Sequence, residues 1–254
     1  MSEARLSQSG GVAVLEPGRP PANVLDLATL GSLERAVRSL SGAETRALVV
    51  TGRPHFSAGV DVADHVPEKV DEMLAAIHGL LAALLEAPFP TVASIRGACF
   101  GGGAEIALAC DVVFAADDAR IGFPEIGLAC FPPAAVLLLP GVVGSARACE
   151  IVLSGNPLSG RDAAAAGLAS RAVPERELDS AARAFTEGLA DRSREAVDPA
   201  FRLLREPKRR AFEDGRARSE AAYRSLAAGP DLRRAVDEFA RRRKSGTSEN
   251  RMKK

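Results

Sequence analysis

Between Pro90 and Pro133 the chain reads PTVASIRGACFGGGAEIALACDVVFAADDARIGFPEIGLACFPP. An apolar run, Thr91 to Ile95, leads to three consecutive glycines, Gly101-Gly102-Gly103. A helix-forming stretch, Gly102 to Cys110, and a second apolar run, Val112 to Ala116, follow. Short, wholly apolar runs separated by helical stretches predict strands buried on both faces. The glycines constrain the fold most. They place bare main chain where a strand turns into a helix, so that a reacting group can reach the unpaired N–H donors of the first turn. Taken alone they serve equally as a tight turn, with Glu105 complementing the helix dipole. Their spacing fits neither a dinucleotide fingerprint nor a P-loop.

The flanking sequence repeats the alternation. Val12 to Leu15 reads as an edge strand and Glu16 to Asn23 as a Pro/Gly turn. Asp26 is placed to cap a helix over Leu27 to Leu40, and Ala47 to Thr51 is a compact buried strand. Asp71 to Glu86 predicts a helix with Met73, Ile77, Leu80 and Leu84 on one face, ended by Pro88 and Pro90. Ala134 to Leu139 and Ala146 to Leu153 read as helical. Ser159 caps a short helix at Arg161 to Ala166 that Gly167 stops. Beyond Glu175 only helical stretches remain: Glu177 to Asp191, Ala200 to Leu204, Arg210 to Leu226 and Asp231 to Arg243. The expected architecture is α/β, with helices covering parallel strands. Residues 1–190 form the core that holds the site, and 191–254 a helical region ending in a frayed basic tail.

Composition narrows the function classes. Lys plus Arg and Asp plus Glu both total 33, for a formal net charge of zero. Nothing global favours nucleic acid or an anionic membrane. The basic runs Lys208-Arg209-Arg210 and Arg241 to Lys244 read as solvated faces. The first residues, MSEARLSQSGG, lack a signal-peptide pattern, and no apolar run reaches membrane-spanning length. The expected location is cytoplasmic. Cys99, Cys110, Cys130 and Cys149 form no metal-ligand spacing and read as buried apolar side chains. His55, His65 and His78 form none either. His65, just beyond the Gly59 turn, reads as a surface residue with a pocket mouth as the alternative, and His78 as the exposed side of its helix. No metal site is expected.

Two further segments carry candidate chemistry. In Phe56-Ser57-Ala58-Gly59-Val60-Asp61, a glycine after a buried strand allows an unusual turn that exposes the N–H of Val60. As an isolated segment it is also an ordinary turn. G-x-S-x-G is absent, so Ser57 is a poor nucleophile candidate. In Gly122-Phe123-Pro124-Glu125-Ile126-Gly127 a carboxyl sits among apolar residues, where its pKa would rise. The alternative is a solvated loop Glu.

The ordered combination FSAGVD, GACFGGGAEIALACD and RIGFPEIGL resembles the enoyl-CoA hydratase/isomerase (crotonase) family over roughly residues 10–190. The later stretch SARACEIVLSGNPLSGRDAAAAGLASRAV is similar to the segment before that family's C-terminal helices. The resemblance implies a spiral of ββα turns, a helical trimerisation region, and a homo-oligomer (trimer or dimer of trimers). It implies that the N–H groups of Val60 and Gly102 form an oxyanion hole and that Glu105 and Glu125 are the catalytic carboxylates. The RPPAN turn with Ala22, together with Ala58, Gly59 and Asp61, would border CoA. No separate cofactor is implied, CoA being part of the substrate. Where most hydratases of the family have a glycine-rich turn after the second Glu, this chain has Cys130-Phe131-Pro132-Pro133. In that respect it looks most like the cyclohexa-1,5-diene-1-carbonyl-CoA hydratases, with Phe123, Phe131 and Pro132 walling an acyl pocket suited to a flat ring. Three other readings stay open: a straight-chain 2-enoyl-CoA hydratase, a double-bond isomerase, and a non-catalytic CoA- or RNA-binding relative.

Overall fold

In the computed structural model, residues 4–251 are described, with side chains to residue 242. The apolar runs become strands because both of their faces are covered. β1 (Arg5–Ser9), β2 (Val12–Glu16), α1 (Leu27–Ser39), β3 (Ala47–Thr51), α2 (Val70–Glu86) and β4 (Thr91–Ile95) come first. β5 (Ala98–Phe100), α3 (Gly102–Ala109), β6 (Val112–Ala116) and β7 (Arg120–Gly122) follow. Then come α4 (Ala135–Leu138), α5 (Pro140–Val143), α6 (Ser145–Ser154), β8 (Leu158–Ser159), α7 (Gly160–Ala165) and β9 (Arg171–Val173). Three helices end the described residues: α8 (Glu175–Ala190), α9 (Arg194–Ala227) and α10 (Pro230–Arg251).

The main sheet has the order β1-β2-β3-β4-β6-β9, parallel from β2 to β9, with Leu48 opposite Thr91 and Ala93 opposite Val113. A smaller sheet is ordered β5-β7-β8. β4 and β5 lie in different sheets and α3 follows them. β6 and β7 divide in the same way, so the chain spirals through strand, short strand and helix, as the resemblance implies. Asp26 caps α1 through the Thr29 N–H, and Ser159 caps α7 through that of Asp162.

Several expectations need correction. β2 is not the edge: the solvent-facing β1 pairs antiparallel outside it, and RLSQS has no apolar alternation to announce a strand. β5, β7, β8 and β9 are two or three residues long and carry no periodic signal. The segments read as separate helices around Pro207 are one 34-residue helix, α9, with Pro199 and Pro207 inside it. An interior proline costs a helix about 3 kcal/mol, and tertiary anchors flank this one. The Arg205 guanidinium bonds Asp111 and the carbonyls of Ala87 and Phe89, and Lys208 Nζ donates to the Cys110 carbonyl at 2.6 Å. Lys208 is therefore no solvated residue, whereas Arg209 and Arg210 form surface pairs with Glu213 and Glu206.

His78 is fully buried rather than exposed, because α2 packs against α1 and α9 at once. Burial lowers its pKa, so the ring is neutral and Nδ1–H donates to Glu220 Oε1 at 2.7 Å. Cys149 is exposed, unlike the other three cysteines. The side chains of 243 and 244, and the last three residues of the basic tail, lie outside the described residues. Among the described residues no helix is long and apolar enough to cross a membrane.

Candidate active site

Ser57, after β3, is buried and structural. Its Oγ donates to the Asn23 carbonyl at 2.8 Å and accepts the Gly59 N–H at 3.0 Å, which pins the turn. Gly59 has φ +92°, and a Cβ there would stand 2.8 Å from the Phe100 carbonyl. The turn thereby lies main chain to main chain on the start of α3. A Cβ on Gly102 would meet Val60 Cγ2 at 2.7 Å and the Val60 nitrogen at 3.5 Å. Side chains on this stretch would hold the two backbones apart. The N–H groups of Val60 and Gly102 have no acceptor among the described residues. Both residues line one cleft of about 380 Å³. Two neighbouring free amides, one at a helix start, form a site for an oxygen that gains negative charge.

The carboxyls face the same cleft. Glu105 projects from the first turn of α3 and is 2% exposed. Its Oε1 accepts the N–H groups of Ala134 and Ala135 at 2.8 and 3.0 Å, where α4 begins. Glu125 sits in a 3₁₀ turn, Pro124–Leu128, with Oε1 against Gly101 and Oε2 buried without a partner. Burial raises the pKa of Glu105, and the two amides pull it back down. Burial raises that of Glu125 as well, and the nearby charge of Glu105 pushes it further. The amides favour the charge on Glu105, so the proton the pair retains resides mainly on Glu125.

Apolar side chains make up most of the wall, among them Met73, Ile77, Leu128, Phe131 and Pro133. Of the residues singled out from sequence, Val60, Gly102, Glu105, Glu125, Ala58, Gly59 and Phe131 come together here. Four do not line the cleft. Phe123 is fully buried in the core, and Pro133 stands at the wall in place of the buried Pro132. Ala22 supports the wall by accepting the Ala58 N–H at 2.8 Å. Asp61 caps the 3₁₀ turn Val62–Asp64 through the Ala63 N–H. Sequence reading missed Tyr223 of α9 and Phe239 of α10, which also line the cleft. An amphipathic stripe shows that a helix is covered but not what it covers. His65 is buried against Tyr223 at the cleft, not on the surface. Among the described residues no cluster of His, Cys, Asp or Glu is arranged to hold a metal ion.

The profile of the enoyl-CoA hydratase/isomerase family matches residues 7–249. The chain belongs to the enoyl-CoA hydratase/isomerase family. It is an enzyme of the enoyl-CoA hydratase type, and the family acts on acyl-CoA thioesters. The cyclohexa-1,5-dienecarbonyl-CoA hydratase of Thauera aromatica is 37% identical over 202 residues, covering 79% of this chain and 78% of that one. A probable enoyl-CoA hydratase of Bacillus subtilis (strain 168) is 32% identical over 252 residues, covering 96% and 98%. The crystal structure of an enoyl-CoA hydratase/isomerase from Xanthobacter autotrophicus Py2 superposes with a TM-score of 0.85 at 28% identity, covering 95% and 93%.

Proposed function

We propose that this enzyme adds water reversibly to a conjugated cyclic acyl-CoA thioester of the cyclohexadiene-carbonyl type. The observation that carries the chemistry is the pairing, on one cleft, of two unbonded amides with two buried carboxyls. The thioester oxygen accepts the N–H groups of Val60 and Gly102. Water is held between the carboxyls. Glu105 takes its proton as the new C–O bond forms, and the π electrons move to the thioester oxygen. That enolate-like oxygen is what the amides stabilise, each donor contributing about 3–4 kcal/mol. As the enolate collapses, Glu125 gives its proton to carbon. The proton gained by Glu105 returns the pair to its starting charge. Dehydration runs the same steps backwards. Backbone amides and two carboxyls supply these steps, and CoA enters with the substrate.

Two observations support a ring. The Thauera relative is named for one. Phe131, set edge-on to Tyr223 with ring centroids 5.6 Å apart, presents a stiff flat wall. The full-length match to the Bacillus protein supports a second reading, a straight-chain 2-enoyl-CoA substrate. Comparing kcat/KM for cyclohexa-1,5-diene-1-carbonyl-CoA and crotonyl-CoA separates them. We expect the cyclic thioester to lead by tenfold or more, and a lead for crotonyl-CoA would reverse the assignment.

The helical region that begins at residue 191 is proposed to assemble the enzyme as a trimer or dimer of trimers. Leu203 and Leu204 on α9, 69% and 82% exposed, support that reading, since large apolar side chains side by side favour a covered position.

A further inference from the structure

Apart from the carboxyl pair, the cleft has one other polar couple, His65 and Tyr223, to which the hydration steps give no part. His65 directly follows the 3₁₀ turn Val62–Asp64, and Tyr223 stands on α9. They are 158 positions apart in sequence, and Nδ1 lies 2.5 Å from the hydroxyl oxygen. Both are buried, and both line the cleft.

The neighbours settle where the protons lie. Burial lowers the imidazole pKa to about 4 against the opposing pull of Asp64 and Asp61. Asp64 is already paired with Lys69 Nζ at 2.7 Å, and Asp61 accepts the Ala63 N–H. The ring is therefore neutral and carries one N–H. Burial, with Cys130 and the two glutamates adding to it, keeps the Tyr223 hydroxyl protonated. Its candidate acceptors are His65 Nδ1 and the Cys130 sulfur, and that thiol points at the Glu125 carbonyl, 3.5 Å away. A ring nitrogen is much the better acceptor. Tyr223 therefore donates to Nδ1, and the imidazole proton rests on Nε2. Nε2 has no hydrogen-bond partner among the described residues and is not sealed from solvent.

We propose that His65 is a specificity-determining residue: its Nε2–H, oriented by Tyr223, offers the acyl chamber one neutral hydrogen-bond donor. Among ring acyl groups, those with a neutral oxygen substituent, hydroxyl or oxo, are held more tightly than the unsubstituted ring. No Lys or Arg lines the cleft, and two carboxyls do, so an anionic substituent is rejected. The inference rests on the reading above in taking the ligand to be a CoA thioester with a cyclic acyl group, and not on the hydration step.

The test is equilibrium binding of saturated thioesters, which undergo no hydration, so the readout is independent of turnover. Cyclohexanecarbonyl-CoA is compared by calorimetry with its ring-hydroxylated and ring-carboxylated analogues. The best-placed hydroxyl isomer is expected to bind about five- to tenfold more tightly than the parent, and the carboxylated one more weakly. In a His65→Leu, Tyr223→Phe double variant, which leaves no unpaired partner, the hydroxyl preference disappears. His65→Gln, which supplies an amide N–H, retains part of it. Equal affinity in the wild type, or a preference that survives the double variant, overturns the proposal. A preserved preference in an enzyme that fails to hydrate any dienoyl-CoA sinks the hydratase reading and leaves this one standing.

Discussion

Glu125 Oε2 has neither solvent nor a donor to stabilise a negative charge. The folded protein binds a proton there more tightly than the unfolded chain, whose carboxyl titrates near 4.5. A folded-state pKa above the unfolded value means stability that is present below the unfolded pKa and is lost as pH rises toward the folded one. Glu125→Gln removes that loss. Its melting temperature should gain on the wild type steadily from pH 5 to pH 8, and a constant difference would show that the carboxyl is not the source. The same variant lacks the proposed proton donor, and its kcat for hydration should fall by on the order of a hundredfold or more. Opposite signs of the two effects would mark a residue kept for chemistry at a cost in stability. Gly102 carries the complementary constraint. Gly102→Ala would place a methyl 2.7 Å from Val60 Cγ2 and spread the two amides. We expect kcat/KM to drop tenfold or more with the fold retained, as circular dichroism would check.

At the scale of elements, α3 and α9 build the cleft from the middle and the C-terminal part of the sequence. α3 positions Glu105 in its first turn because three glycines let it start hard against the Val60 turn. α9 continues through Pro207 because its neighbours hold it. Arg205 is buried and bonded to Asp111, which also accepts from the Thr91 N–H and hydroxyl at the head of β4. Arg205→Ala would leave that carboxylate and two carbonyls short of donors, and breaking a buried pair costs about 3–5 kcal/mol. Thermal or urea unfolding should register a loss of that order. Because Tyr223 lies further along the same helix, KM should rise as well. A loss below about 1 kcal/mol would show that α9 is held by apolar packing alone.

For the whole molecule, the proposed assembly predicts a solution mass of three or six chains by light scattering. A Leu203→Glu, Leu204→Glu double variant should shift it toward one chain, and an unchanged mass would place the interface elsewhere. What the amino-acid order determined by itself was local. Runs such as ALVVT, TVASI and VVFAA have one way to bury both faces, and Asp26 and Ser159 start their helices with their own side chains. The glycines marked where bare main chain could come close, because that needs no distant partner, and the family resemblance singled out Glu105 and Glu125 beside them as candidate carboxyls. The tertiary structure decided what depends on meeting across the chain. His65 and His78 look like surface residues until α9 covers them, and Phe123 turns into the core while Pro133 takes the wall. Three-residue strands exist only by pairing, and a helix runs through proline only where Arg205 and Lys208 find acceptors. Short-range patterning fixes what each segment can bury, and only the assembled fold fixes what it is buried against.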